Sequence, residues 1–308
     1  SRRALLRRGS LLGVAGAAAP WALNLSLLGD AAAAGGPSDY KALVCVFLYG
    51  GNDQANTLVP WDQPSYDIYR GFRSNIALDR AALSATVLTP AVPLPSGQQF
   101  ALAPGLAPLL PVFDAGRMAV VLNMGTLIQP TTKAQYSAKA VPLPPKLFSH
   151  NDQQSFWQAS SPEGATSGWG GRMGDLFAAG NGNATFTCVS VAGNAVYLAG
   201  RSAVQYQVTP NGSVPVNGIK GALFGSSACS AALQGLMSGP RTHLLEAEYA
   251  RIARRSIDAN DQLTAALASA SLATPFPAGN NLASQLAMVA RMASGGQTWC
   301  TAQTSGDF

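Results

Sequence analysis

Residues 41–49 read KALVCVFLY and run directly into Gly50-Gly51. A nearly continuous apolar run of this length, ended by a glycine pair, predicts a strand buried on both faces of a parallel sheet. Further on, Gly105–Ala115 places Leu106, Leu109, Leu110 and Phe113 at helical spacing, Gly116 stops the helix, and Arg117–Met124, RMAVVLNM, reads as a second buried strand. Strand, helix and strand compose a right-handed βαβ crossover. The expected fold class is therefore α/β, a mostly parallel sheet flanked by helices, with functional loops at the carboxyl ends of its strands.

Working outward, the stretch between these runs is broken by Pro60, Pro64, Pro90, Pro93 and Pro95, leaving only short helical turns over 64–72 and 79–83. Downstream, helices are expected over Ser149–Ser160 and Gly171–Ala179, a strand over Thr185–Ala192, and a weaker strand or hairpin over Tyr197–Val208. Thr242–Ser269 is the longest element, with Leu245, Tyr249, Ile252, Ala259, Leu263 and Leu267 along one side, and a further helix runs over Asn281–Met292. Beyond Met292 the residues abandon the helical period, and no strand follows where an α/β chain would continue with one.

Residues 1–34 carry Arg2-Arg3 in the context SRRALLR, then an apolar middle and small residues at Ala31–Ala34. This is the pattern of a twin-arginine leader, so the chain is expected to meet the twin-arginine export machinery and to work in the periplasm or outside the cell. Pro20, Asn24, Ser26 and Asp30 interrupt the apolar run. A spanning helix wants about 20 consecutive apolar residues, so no stable transmembrane anchor is expected. The rest, residues 35–308, reads as one α/β domain, with no internal repeat or long linker to divide it.

The formal charge of +5 falls to about +2 once the leader is set aside, which is no nucleic-acid signature. The one basic cluster, Arg251, Arg254 and Arg255, shares its helix with Glu246, Glu248, Asp258 and Asp261, and reads as a solvated face. Cys45, Cys188, Cys229 and Cys300 stand far apart with no C-x-x-C pair, which argues against a thiolate metal site. An oxidising compartment permits one disulfide, Cys188 with Cys229 being the better pair, beside the alternative of buried free thiols.

Three places hold residues suited to chemistry. Asn52 and Asp53 follow the first predicted strand, where hard oxygen ligands face the crevice above a sheet and suit a divalent ion, or where Asp53 simply closes a tight turn. Ser149 and His150 open a helix. Ser149 with Asp152 resembles a capping box, and a hydroxyl at a helix start is also placed to attack an anionic ester, with His150 as acid, base or ligand. Gly168-Trp169-Gly170-Gly171-Arg172 offers helix capping and packing, or Arg172 as an anion ligand. No G-x-G-x-x-G, G-x-x-x-x-G-K or G-x-S-x-G segment is present.

Taken in order, the twin-arginine leader, LVCVFLYGGNDQANTLVP, FSHNDQQSFWQ and SGWGGRMGDLF resemble the bacterial family catalogued as domain of unknown function 1501, over most of residues 1 to about 292. The resemblance implies an alkaline phosphatase or sulfatase-like fold and a periplasmic metal-dependent hydrolase of phosphate or sulfate esters. It would use zinc, calcium or magnesium, with Asp53 as metal ligand and Ser149 as nucleophile. It also implies carboxyl-terminal Asp-Thr-His, Ser-Asp-Phe-Gly-Arg and Asp-His-Gly segments, none of which occurs here. The chain is thus expected to lack its C-terminal part, to hold no metal and to be inactive as it stands. The alternative is a noncatalytic exported surface or polysaccharide-associated protein with a small-molecule or polysaccharide ligand.

Overall fold

In the computed structural model, residues 42–50, 52–181, 183–294 and 303–304 are described. The leader over residues 1–34, Gly51 and Cys300 lie outside them. Six strands occur among the described residues: β1 (Cys45–Val46), β2 (Leu58–Pro60), β3 (Phe100–Leu102), β4 (Val189–Ser190), β5 (Tyr206–Gln207) and β6 (Gln303–Thr304). The principal helices are α1 (Gln63–Arg73), α2 (His150–Ala159), α3 (Trp169–Phe177), α4 (Ser227–Ser238), α5 (Leu244–Ser269) and α6 (Asn281–Ser294). The strands make three two-stranded sheets, β1 with β6 parallel, β2 with β3 antiparallel, and β4 with β5 parallel. No helix among the described residues is long and apolar enough to cross a membrane.

These elements correct the expected α/β class. The structure is mainly helical, and its strands of two or three residues pair only in twos. Of the run at 41–49 only Cys45–Val46 is a strand, and Leu43, Val44, Val46 and Leu48 are 38–43% exposed where a doubly covered strand would be close to zero. Residues 117–124 form no strand at all, and Val121 is 71% exposed. An apolar run supplies side chains that favour burial but no hydrogen-bonding partner, and a ladder forms only where a second strand is delivered alongside. The helix between them does form, as a 3-10 segment Pro104–Leu109 continuing into Leu110–Asp114, and Gly116 at φ +66 ends it.

The chain divides into two compact units, one built from Gly50–Gly125 and the other from residues on either side. In the first, Asp62 caps α1 by accepting the Ser65 N–H at 3.1 Å, with Pro64 in the opening turn. Tyr66 and Tyr69, three residues apart on α1, pack with Val59, Leu83 and Ala101. Each tyrosine hydroxyl is used twice. Tyr66 Oη donates to the Leu78 carbonyl and accepts from Arg80 N, both at 2.9 Å, while Tyr69 Oη donates to Asn56 Oδ1 at 2.5 Å and accepts from Leu78 N at 2.7 Å. Buried polar groups satisfied in this way fix the loop after α1 without a larger sheet.

In the second unit the core lies between β4, β5 and the helix pair α5 and α6. Phe186, Val189, Val191 and Val208 meet Ala259, Leu263 and Leu267 of α5 and Met288, Val289 and Met292 of α6. A second contact explains the glycine-rich segment at 168–174. A Cβ on Gly171 would lie 2.1 Å from the Ala199 carbonyl carbon, one on Gly168 2.3 Å from the Val196 oxygen, and one on Gly174 2.3 Å from Cys188 Sγ. The start of α3 therefore lies backbone to backbone on residues 196–200, an approach that a side chain would block. Asp175, on the same helix, accepts from the N–H groups of Arg201, Ser202 and Ala203 at 2.7–2.9 Å, which ties the following loop to it.

Candidate functional site

An open concavity lies on the exposed face of α2. Ser149, with φ −77 and ψ 120, is its N-cap. Asp152, Ser155, Gln158 and Ala159 turn inward from the helix and are buried. His150, Gln153, Gln154 and Trp157 fall at i, i+3, i+4 and i+7, so one other face carries all four. The facing wall is the extended chain at 47–49, where alternation directs Phe47 and Tyr49 to one side. Their rings meet edge to face, 4.8 Å between centroids at 87°. Together with Leu48 and Phe148 these residues line an open groove of about 710 Å³, within the ordinary range for small-molecule sites of about 300–1,000 Å³.

Two features at this groove are costly to the fold. Phe148 has φ +86, in the left-handed half of the map, and is 76% exposed, its ring meeting that of Tyr136 edge to face, 5.8 Å between centroids. Bulky residues rarely adopt such a φ, and strained backbone of this kind clusters at functional sites. Secondly, Gln153 accepts a hydrogen bond from Thr126 Oγ1 through its Oε1, while its Nε2 is buried and makes no hydrogen bond among the described residues. An unpaired buried amide donor costs about 1–3 kcal/mol and calls for an acceptor.

Behind the groove, Ser149 Oγ donates to Asp152 Oδ2 at 2.6 Å and accepts from Asp152 N at 3.4 Å. Asp152 Oδ1 accepts from Glu163 N at 3.1 Å and lies 3.5 Å from Lys146 Nζ. The Ser149 hydroxyl first, then the Glu163 amide and the Lys146 charge, hold the Asp152 carboxyl below the usual carboxylate range despite burial. An ionised Asp152 thus cross-links the start of α2 to residue 163 and keeps the Ser149 hydroxyl pointing at it.

The other residues singled out from the sequence fall elsewhere. Asp53 is ion-paired with Arg73 of α1, and Asn52 Oδ1 accepts from Thr57 Oγ1 at 2.8 Å. Arg172, half-buried, donates from Nη1 to the Ser167 carbonyl at 3.2 Å, and burial followed by the nearby Arg201 charge pushes its guanidinium below the usual value. Cys188 is buried and Cys229 exposed, and Cys229 and Cys45 are free thiols. The groove residues Phe47, Tyr49, Phe148, Gln153 and Trp157 were not legible as a site. The spacing of Phe47 with Tyr49 in an extended run, and of Gln153 with Trp157 on a helix, was the available signal.

Compared with known proteins, the chain matches no family model, no curated protein and no solved structure. The resemblance to the domain of unknown function 1501 family is accordingly set aside, and with it the alkaline phosphatase or sulfatase-like fold, since that fold needs an extended parallel sheet and the described residues form only two-stranded sheets. The metal-dependent hydrolase reading falls for a second reason as well. Among the described residues no group of three or more His, Cys, Asp or Glu side chains is placed to hold a metal ion.

Proposed function

We propose that this protein binds a small organic molecule in the groove on α2, one with a flat apolar or ring-shaped face and a carbonyl or hydroxyl oxygen to accept from Gln153. The observation that carries this reading is an aromatic groove lined by Gln153, whose Nε2 makes no hydrogen bond among the described residues and would turn outward to meet a ligand acceptor. Phe47, Tyr49, Phe148 and Trp157 supply faces for stacking, and His150 and Gln154 supply polar groups. The Arg2-Arg3 leader supports placing this activity outside the cytoplasm, after passage through the twin-arginine export machinery.

Titration with nicotinamide, a planar aromatic amide, and with maltose, a stacking sugar, tests the groove by ligand-observed NMR. Saturable binding of one of them is expected with Kd of about 1 mM or tighter, −4.1 kcal/mol or better. Gln153→Leu and Trp157→Ala should each weaken it about tenfold. Absence of saturation with both probes, or variants that bind as well as the parent, overturns the reading. Replacing both Arg2 and Arg3 by Lys should abolish export of a tagged chain from a bacterial host, and unaltered export would remove the extracytoplasmic part.

A further inference from the structure

A second groove, independent of the first, lies between α5 and the turn at 183–185. It has a volume of about 300 Å³, and Asn183, Thr185, Arg255, Asp258 and Gln262 line it together with two further arginines of α5. Three guanidinium groups within five residues of one helix repel one another unless counter-charges answer them. Glu248 answers Arg251 through two hydrogen bonds of 2.8 and 2.6 Å, and Arg254 Nη2 donates to the Ser238 carbonyl. Arg255 is half-buried and has neither an ion pair nor a hydrogen bond among the described residues; it contributes only a through-space charge that helps hold Glu248 ionised.

The remaining lining is rich in donors. Asn183 Nδ2 donates to Gln262 Oε1 at 2.5 Å, and Asn183 Oδ1 accepts from Thr185 N at 3.0 Å, so Asn183 fixes the turn to the helix. That arrangement leaves the Gln262 amide hydrogens and the Thr185 hydroxyl without a partner among the described residues. Guanidinium, amide and hydroxyl donors converging on one concavity match a tetrahedral oxyanion, whose several lone pairs accept from a planar fork and from point donors together.

We propose that this groove binds the oxyanion of a small phosphate or sulfate monoester, with Arg255 as its principal ligand. Asp258 is the one carboxylate on the lining among the described residues. It disfavours a bare dianion and suits a ligand whose organic part offers a hydroxyl or ammonium donor. The cavity leaves room for such a part, since about 300 Å³ is the lower end of ordinary small-molecule sites.

Isothermal titration at constant ionic strength, with inorganic phosphate, inorganic sulfate and glycerol phosphate as probes, tests this. The full chain should bind at least one inorganic anion saturably and glycerol phosphate more tightly. Arg255→Gln should weaken all binding at least tenfold, whereas Arg241→Gln, at a residue off the groove, should leave it within twofold. Should Arg255→Gln lose its thermal transition, Thr185→Ala serves instead, with about threefold weakening expected. Heats that fail to saturate, or a groove variant that binds like the parent, overturn the proposal; glycerol phosphate binding no tighter than inorganic phosphate overturns the role given to Asp258.

Discussion

Residues 43–49 and 186–191 are two apolar runs that read alike, yet the first is largely open and the second is sealed. Leu43, Val44, Val46 and Leu48 are about 40% exposed, whereas Phe186, Cys188, Val189 and Val191 are at most 4% exposed. Neither run makes more than two residues of strand. The difference lies in what covers them. The second run meets one face of α5 and one of α6, and the first forms one wall of the groove on α2. The same contrast appears within α5, where Leu245, Tyr249 and Ile252 are 44–72% exposed and Ala259, Leu263 and Leu267 are at most 8% exposed. Apolar content records a tendency to be buried; which partner satisfies it is decided by residues far away in the chain.

The comparison breaks most visibly at Met288, 1% exposed at the centre of the sealed region. Met288→Ala should lower stability by about 2–5 kcal/mol, through lost transfer energy and the cavity left behind. Leu48→Ala in the open run should change it by no more than about 0.5 kcal/mol. Urea denaturation of both variants measures the contrast, and equal losses would show that the run at 43–49 is covered in solution.

Glycines sharpen the same contrast at the level of the backbone. Gly171→Ala puts a methyl group 2.1 Å from the Ala199 carbonyl carbon, so the helix must move, at a cost of about 1–3 kcal/mol. A Cβ on Gly235, within α4, would meet nothing within 4 Å, so Gly235→Ala should gain about 0.5–1 kcal/mol from helix propensity alone. Thermal melts decide the matter, and a tolerated Gly171→Ala would refute the close approach of α3 to residues 196–200.

How far these regions were legible follows from the range of the forces involved. α2, α3, α5 and α6 were readable because helix signals are local: the Ser149 cap, the glycine-rich segment at 168–172 and the apolar spacing from Leu245 to Leu267 all sit at or within the element they define, although α3 starts at Trp169, two residues before the expected Gly171. The twelve residues of α4 escaped, because SACSAALQGLMS carries small side chains without an apolar period and buries only Ser230. Strands were expected over 185–192 and 197–208, and β4 and β5 fall within those ranges, but their extent and pairing were not legible because pairing is a long-range property; the partner of Tyr206 is Val189, and nothing local to either residue names the other. At the groove, the sequence drew attention to Ser149 and His150. The wall opposite them, Phe47 to Tyr49, comes from about a hundred residues earlier.

Asp175 offers a pH test of the ties that hold the second unit together. Burial by itself would raise its carboxyl, but the amides of Ala203, Arg201 and Ser202 outweigh that effect and lower it to about 2 from 3.8. Because the folded value is the lower one, the stabilisation is complete above about pH 4 and is lost as the pH falls towards 2. Allowing for its partial exposure, it amounts to about 1 kcal/mol. Asp175→Asn should remove that amount at neutral pH and flatten the stability profile between pH 4 and 2. A profile that stays as steep as the parent's would assign the acid sensitivity to other carboxylates.

The smallest expected effect has the opposite sign and bears on the open region. Phe148 occupies φ +86 and is 76% exposed, so the fold gains little burial from a side chain held at a strained backbone position. Strain of this kind costs about 1–3 kcal/mol, and glycine, which adopts positive φ freely, loses about 0.5–1 kcal/mol of that gain to chain entropy. Phe148→Gly should therefore leave stability unchanged or raise it, by about 1 kcal/mol at the middle of these ranges, while removing one aromatic face from the groove and weakening binding of whichever probe the groove takes. Stability and binding moving in opposite directions is the mark of a residue kept for a ligand. If Phe148→Gly instead unfolds the chain more readily, the ring is serving the fold, and the open run at 43–49 is better covered in solution than its exposure indicates.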